Sequence, residues 1–251
     1  MAEVVKLQTL DAAEKAEPVE MNTSRSIKRV LAYCKARGKL AAIYGAPGVG
    51  KTETLHRFTQ GDHPCVLITV TPSCRAHVPF LMELAQALDG YSGNGAQQNR
   101  ALVVQGIARK MEMGKGLLIA IDEAQNLCDD ALEELWTLND QTGCGIVLCG
   151  NPSLPERWEA NGSKADRWAH FASRLWVTLR IAHPHPADVD AMCRSFGVPG
   201  GRGRKLLEAQ AAKPGALRNL VHTVEWARLI ADGAALTAAH IEEAIFMRGG
   251  Q

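Results

Sequence analysis

A loop that ends in lysine and threonine carries the clearest chemistry in this chain of 251 residues. It consists of Gly45, Ala46, Pro47, Gly48, Val49, Gly50, Lys51 and Thr52, and it fits the pattern G-x-x-x-x-G-K-S/T at every fixed position. Glycines let the backbone turn its N–H groups inward around an anion, and a helix that starts at the loop adds a partial positive charge. Lys51 would reach the β- and γ-phosphates of ATP, and Thr52 would bind Mg²⁺.

The residues on either side of this loop supply the context that it needs. Leu40–Tyr44 form an apolar run that predicts a buried strand, and Glu53–Phe58 predict a helix, with Glu53 included in the nucleotide site. A glycine-rich turn without a ligand is the alternative, but it leaves the adjoining lysine and threonine unexplained. We therefore interpret the loop as a phosphate-binding loop.

A second apolar strand ends in two carboxylates. It runs over Gly116–Ile121, and Asp122 and Glu123 follow directly. Asp122 is expected to hold Mg²⁺ through water, and Glu123 to polarise the water that attacks the γ-phosphate. Acids commonly close strands, so this interpretation depends on the phosphate loop upstream. Gln125 is either a γ-phosphate sensor or an ordinary surface glutamine.

An asparagine closes the next strand along the chain. The strand is predicted over Gly145–Cys149, and Asn151 follows it at a position from which it would reach the γ-phosphate or the attacking water. Asn-Pro also simply makes turns. We interpret Asn151 as a polar sensor of the γ-phosphate.

The wider pattern predicts five buried strands alternating with helices, then four helices. A first helix is expected to be capped by Ser24 or Ser26 and to run through Cys34, with Gly38 ending it. The predicted domains are a flexible amino-terminal arm (1–23), an α/β nucleotide-binding domain (24–184) and a helical lid (185–251).

Composition bounds the class of protein further. The cysteines lack any C-x-x-C pair, which favours reduced, mostly buried thiols over a zinc site or disulfides. No signal sequence and no membrane-length apolar run is present, so the chain is predicted to be soluble and cytoplasmic, without a membrane partner. The net charge is only +1, but residues 25–57 are strongly basic, which fits either a nucleic-acid surface or a solvated helix face.

These residues, in this order, resemble the AAA+ ATPases from about Ser24 to the end of the chain. The resemblance adds Asn151 as sensor 1, Arg174 as an arginine finger with Arg167 as the second candidate, and Arg218 as an ATP-binding sensor 2 that opens a lid helix. It implies an α/β P-loop fold with a five-stranded parallel sheet flanked by helices, a small all-helical lid, and Mg²⁺-dependent ATP hydrolysis stimulated by assembly and DNA.

Within that family, Ile121–Gln125 and Phe171–Arg174 look most like the phage MuB group of transposition ATPases, with TnsC, TniB and ExeA proteins as relatives. The resemblance implies ATP-dependent, nonspecific binding of double-stranded DNA, head-to-tail assembly into a helical filament or ring, and delivery of target DNA to a transposase or integrase in a bacterial host cell. MuB also carries an amino-terminal helix-turn-helix domain, and only about twenty residues precede the first predicted helix here.

The loops after the second strand and around the next helix tend to face the pore in such assemblies. In this chain they are Thr71–Arg75 and Gly90–Arg100. The candidate DNA-binding residues are Arg75, Arg100, Asn94 and Gln97, which would contact phosphates without reading bases. The alternative interpretation of Arg100 is that it starts a solvated helix face, and the basic first helix is the alternative DNA surface.

Three other functions compete with target selection. A helicase loader or replication initiator would use ATP to switch a protein partner. An ExeA-like secretion ATPase would normally bring a membrane span and a cell-wall-binding region, and neither pattern is found in the sequence. A small-molecule kinase is disfavoured because the paired Asp122 and Glu123 suit attack by water.

Overall fold

The computed structural model describes residues 21–61, 64–89, 93–112, 116–159, 165–198 and 200–249. Its helices are α1 (Asn22–Arg37), α2 (Lys51–Thr59), α3 (His77–Asp89), α4 (Ala96–Glu112), α5 (Asp129–Thr142), α6 (Ser153–Glu159), α7 (Ala165–Arg174), α8 (Pro186–Ser195), α9 (Arg202–Ala211), α10 (Ala216–Ala231) and α11 (Ala238–Met247). Its strands are β1 (Leu40–Gly45), β2 (Cys65–Thr69), β3 (Leu118–Asp122), β4 (Gly145–Gly150) and β5 (Leu175–Ile181), and Ala124–Asn126 form a 3-10 turn. Residues 1–20 of the predicted arm lie outside the described part.

The strands form one parallel sheet in the order β2-β3-β4-β1-β5. In this register Tyr44 pairs with Gly150, and Thr69 pairs with Asp122. The carboxyl ends of β1, β3 and β4 therefore meet at one edge, which brings the phosphate loop, the two carboxylates and Asn151 together. The predicted P-loop α/β fold with a five-stranded parallel sheet is confirmed.

Helices cover both faces of the sheet, so its central strands are apolar throughout. One face of the sheet packs on a core that includes Phe80, Leu84 and Phe171, and the other packs on a core that includes Ile27 and Leu31. Full burial of one such side chain stabilises the fold by about 1.5–3 kcal/mol. These two cores hold the sheet edge that carries the candidate site.

The last four helices, α8 to α11, surround a third core that includes Leu207, Leu220, Val224 and Ile241. The predicted helical region after β5 is thus present. The boundary predicted at residues 184 and 185 falls between β5 and α8, and the division into domains stays a prediction. Among the described residues, no helix combines the length and apolar character needed to cross a membrane.

The start of α1 differs from the prediction. The helix begins at Asn22, two residues before Ser24, and its N-cap Met21 supplies no side-chain cap. Instead, the carboxylate of Asp188 in α8 accepts hydrogen bonds from the N–H groups of Asn22 (2.6 Å) and Thr23 (3.0 Å). A capping partner 166 positions away cannot be recognised from local sequence. The predicted end of the helix at Gly38 is confirmed, because Gly38 is the C-cap and has a φ of 58°.

The seven cysteines are free thiols, as the sequence predicts, and most of them are buried. Burial raises the pKa of Cys34 to about 12 and the pKa of Cys144 to about 11. These two thiols therefore stay protonated at neutral pH, where they act as small apolar core groups.

Candidate nucleotide-binding site

A cavity of about 850 Å³ opens at the carboxyl edge of the sheet, between the phosphate loop and the lid helix α10. The predicted site residues that line it are Pro47, Gly48, Gly50, Lys51, Thr52, Glu53, Glu123, Asn151 and Arg218. Gly45, Ala46 and Val49 belong to the same loop, and Asp122 ends the strand that leads to Glu123. The structure thus brings the predicted nucleotide and metal residues to one place, and their individual roles stay predictions.

Lys51 lies against the loop that it follows. Its Nζ donates hydrogen bonds to the carbonyl oxygens of Gly45 (2.8 Å) and Ala46 (2.9 Å). Burial lowers the pKa of Lys51, while the nearby carboxylates of Asp122 and Glu123 act in the opposite direction. The two carbonyl contacts hold the ammonium group against the start of the loop, and Lys51 lines the cavity in which it would meet a phosphate.

The phosphate loop touches the lid directly at Gly48. This residue has a φ of 80°, and a Cβ atom built on it would lie 1.9 Å from the carbonyl oxygen of Gly215. Only glycine fits there, because a side chain would meet backbone rather than a flexible group. The close contact places the first turn of α10, and with it Arg218, over the loop.

Arg218 supplies the second cation of the cavity. Burial is the main cause that lowers the pKa of Lys51, and the positive charge of Arg218 lowers it further. The two cations therefore act on each other across the cavity. Two cations that face the same space attract an anion between them. This electrostatic arrangement suits a triphosphate.

Asp122 is 2% exposed. Its Oδ1 accepts a hydrogen bond from the N–H of Glu123 (3.0 Å), whereas its Oδ2 has no hydrogen-bond partner among the described residues. A buried carboxylate oxygen without a partner is costly unless a cation or donor satisfies it. Thr52 lines the cavity, and Asp122 directly precedes Glu123, which also lines it. Carboxylate and hydroxyl oxygens are the ligands that a hard cation such as Mg²⁺ prefers, so the two residue types fit such an ion.

Glu123 is held by a side chain whose role the sequence left open. Gln125 Nε2 donates to Glu123 Oε2 (2.5 Å), and Gln125 Oε1 accepts from the N–H of Asn151 (3.1 Å). A Cβ atom on Gly150 would lie 2.5 Å from that Oε1, so glycine leaves the room for this bridge. Gln125 therefore connects the end of β3 to the end of β4, a link that requires the two strands to be neighbours in the sheet.

Asn151 has its side chain partly engaged. Its Oδ1 accepts hydrogen bonds from the N–H (2.8 Å) and the hydroxyl (2.6 Å) of Ser153, at the start of α6. The amide nitrogen is the donor that would serve a phosphate. Asn151 thus starts the predicted turn and also lines the cavity, and its role as a sensor stays a prediction.

The cavity also has an apolar end that no sequence motif predicts. Met21, Met192, Leu217 and Val221 line it, from the start of α1, from α8 and from α10. These residues follow no motif, and they come together only through the packing of the lid against α1. Apolar side chains that line a cavity beside a few polar groups are typical of the surface that receives a nucleobase.

Arg174 lies at the amino end of β5, and it is not among the residues that line the cavity. Its Nε donates to Asp140 Oδ2 (2.9 Å), one terminal nitrogen donates to the carbonyl of His170 (3.1 Å), and the guanidinium lies 5.4 Å from the ring centre of Trp136. Arg167 lies in α7, and its side chain is outside the described residues. The structure therefore keeps Arg174 on the surface and away from the chain's own nucleotide cavity.

The candidate DNA residues do not share one environment. Arg75, Asn94 and Gln97 are exposed. Arg100 is engaged within the chain, since its Nε donates to Glu134 Oε1 (2.7 Å) and a terminal nitrogen donates to Gln141 Oε1 (2.6 Å). Gly90–Ser92 of the predicted loop lie outside the described residues.

Comparison with known proteins decides the family. The model of an AAA domain matches residues 35–158, and the model described as Mu B transposition protein, C terminal, matches residues 173–246. ATP-dependent target DNA activator B of Escherichia phage Mu is 34% identical over 224 residues, which are 88% of this chain and 70% of that relative. This chain belongs to the Mu B transposition protein family.

A Mu-like prophage FluMu DNA transposition protein B of Haemophilus influenzae is 31% identical over 218 residues, which cover 86% of this chain and 75% of that relative. The AAA domain, the phosphate loop and the family together make this Mu B family member an ATPase. The predicted resemblance to phage MuB proteins is confirmed.

Solved structures show the same fold in more distant proteins. A chain in the structure of Drosophila ORC bound to DNA has a TM-score of 0.62 and 19% identity, and the match covers 91% of this chain but 61% of that one. Cdc6p from Pyrobaculum aerophilum has a TM-score of 0.62 and 16% identity, with 88% of this chain and 65% of that one covered. At this identity the likeness concerns the fold alone.

Proposed function

We propose that this Mu B family member is an ATP-dependent target-DNA activator that binds double-stranded DNA without sequence preference and delivers it to a transposase. The observation that carries the proposal is the match to activator B of phage Mu over 88% of the chain, which includes the nucleotide cavity. The relative's name specifies dependence on ATP and action on target DNA. The solved ORC and Cdc6p structures, at 19% and 16% identity, share the fold alone and so do not favour the alternative of a helicase loader or replication initiator.

The residues of the cavity are assigned different roles in ATP hydrolysis. The N–H groups of the phosphate loop and Lys51 hold the β- and γ-phosphates, and Arg218 holds them from the lid. Thr52 and Asp122 would hold Mg²⁺, which neutralises charge that develops on the phosphates when it is bound. Glu123 takes a proton from the attacking water, and Asn151 orients that water or the γ-phosphate.

Assembly brings in a residue that the chain's own cavity lacks. Arg174 is 37% exposed and lies outside that cavity, so it completes a site only if it reaches the cavity of a neighbouring copy. Head-to-tail contacts of this kind produce rings or open helical filaments. Arg174 is therefore proposed as an arginine finger that acts in trans.

Arg174→Ala is expected to bind ATP like the wild type and to lose hydrolysis by a factor of about 10³ or more, because arginine fingers contribute that much to phosphoryl transfer. The measurements are steady-state turnover, ATP affinity by calorimetry and ATP-driven assembly by light scattering. Asp140→Asn is the control, since it releases the arginine from its ion pair but keeps the cation. Turnover at the wild-type rate in Arg174→Ala would exclude the trans role.

DNA contact is proposed for Arg75, Asn94, Gln97 and Arg100. The side chains of the first three are exposed, so they are accessible to DNA. Arg100 shares its charge with Glu134, a carboxylate whose side chain is 13% exposed. Its binding to a phosphate would compete with that ion pair, so Arg75 is expected to contribute more affinity than Arg100.

The function is tested with two unrelated DNA duplexes, with and without ATP, over a range of salt concentrations. The wild type is expected to bind both duplexes equally, and only with ATP. Arg75→Ala should weaken binding to both duplexes alike and reduce the salt slope by about one. Glu134→Gln is the matched control, because it frees Arg100 without removing a cation and should not weaken binding. Absence of ATP-dependent DNA binding in the wild type would overturn the proposal and favour a protein partner, as in a helicase loader.

A further inference from the structure

A carboxylate of the lid caps the amino terminus of the first helix, α1. Asp188 lies in the first turn of α8, is 1% exposed, and accepts the N–H groups of Asn22 and Thr23 with its two oxygens. The carboxylate thus contacts the amino terminus of α1 and belongs to the first turn of α8, and a helix amino terminus carries a partial positive charge that favours an anion. Asp188 therefore joins the lid to the amino-terminal end of the nucleotide-binding region.

The residue that this contact fixes in place is Met21. It immediately precedes α1, packs against the lid core, and lines the nucleotide cavity. Its Cε lies 3.6 Å from the position of a Cβ atom built on Gly50. Met21 thus stands between the phosphate loop and the lid, and its position depends on where α1 begins.

The helix that carries Asp188 also contributes to the cavity. Met192 lies one turn further along α8 and lines the same apolar end as Met21. The Asp188 carboxylate therefore links the two elements that carry these methionine side chains, α1 and α8. Methionine adapts its shape to flat apolar surfaces, which suits a purine ring.

We infer that Asp188 is a positioning residue that builds the nucleobase end of the cavity, by locking α1 to α8 so that Met21 and Met192 enclose the base. The phosphates are bound by the loop, by Lys51 and by Arg218, and the contact of Gly48 with Gly215, rather than this lock, holds the helix of Arg218 over the loop. Without Asp188, both methionines would have to be ordered each time a nucleotide binds, and that cost would appear as lost affinity.

The test compares ATP with inorganic tripolyphosphate, which carries the phosphates but no base, by calorimetry in the presence of Mg²⁺. Asp188→Ala is expected to weaken ATP binding by at least about tenfold and to leave tripolyphosphate binding unchanged. Asp188→Asn keeps one acceptor oxygen and should fall between wild type and Asp188→Ala. Met21→Ala should weaken ATP binding as well, and the losses of Met21→Ala and Asp188→Ala should not add in the double variant.

Asp190→Ala is the matched control, because Asp190 lies on the same helix, pairs with Arg194 and Arg204, and is not among the residues that line the cavity. It should bind ATP like the wild type. A parallel loss of ATP and tripolyphosphate binding in Asp188→Ala, unchanged ATP binding, or fully additive losses with Met21→Ala would each overturn the inference. DNA is absent from the assay, so the outcome is independent of the DNA-directed function proposed above.

Discussion

Lys51→Ala is expected to abolish ATP binding, with a loss of affinity of at least about a hundredfold. The Nζ atom of Lys51 lies between the carbonyl oxygens of Gly45 and Ala46, so the ammonium group is already fixed beside the loop that receives the phosphates. Removing it deletes a half-buried cation that would face the β- and γ-phosphates. A hundredfold loss of affinity corresponds to about 2.7 kcal/mol, since each tenfold is about 1.4 kcal/mol.

Calorimetric titration of Lys51→Ala with Mg²⁺ and ATP is the direct measurement. Lys39→Ala serves as the control, because Lys39 is exposed and lies before β1 rather than in the cavity. It should bind ATP like the wild type. Thermal unfolding of both variants shows whether the fold is kept. Micromolar ATP affinity in a folded Lys51→Ala would mean that Arg218 and the backbone N–H groups suffice for phosphate binding.

The sequence predicted those parts of the site whose residues are close together in the chain. The phosphate loop is contiguous, and its geometry follows from glycines, a buried strand before it and a helix after it. Asp122 and Glu123 come at the end of a short apolar run of the kind typical of a buried strand in a parallel sheet. The meeting of these residues at one edge then follows from the parallel topology, without knowledge of any side-chain contact.

The parts that could not be predicted depend on partners far apart in the chain. Arg100 looks like an exposed cation in the sequence, yet it pairs with Glu134 because α4 packs beside α5. Asp188 looks like an ordinary acid in the first turn of a helix, yet it caps α1. Ser24 or Ser26 was expected to be that cap, but both lie inside the helix, where Ser24 is buried. Local propensity gives no information about which of several polar residues the tertiary structure will select.

Glu123→Gln is expected to keep ATP binding and to slow hydrolysis by a factor of about 10²–10⁴, the usual contribution of a general base. Glutamine is close in shape to glutamate, and its amide oxygen can still accept the hydrogen bond from Gln125 Nε2, so the bridge to Asn151 is kept. The buried oxygens of Asp122 are untouched, so the predicted metal site is unchanged. Only the ability to take a proton from water is lost.

Single-turnover hydrolysis and ATP affinity, measured on the same sample, separate the two effects. Glu156→Gln is the control, since Glu156 is an exposed residue of α6 that is not among those lining the cavity. It should hydrolyse ATP at the wild-type rate. If Glu123→Gln also hydrolysed at that rate, another group would have to position the water. Asn151 would then be the first candidate, because Gln125 ties its backbone N–H to Glu123 and the residue lines the same cavity.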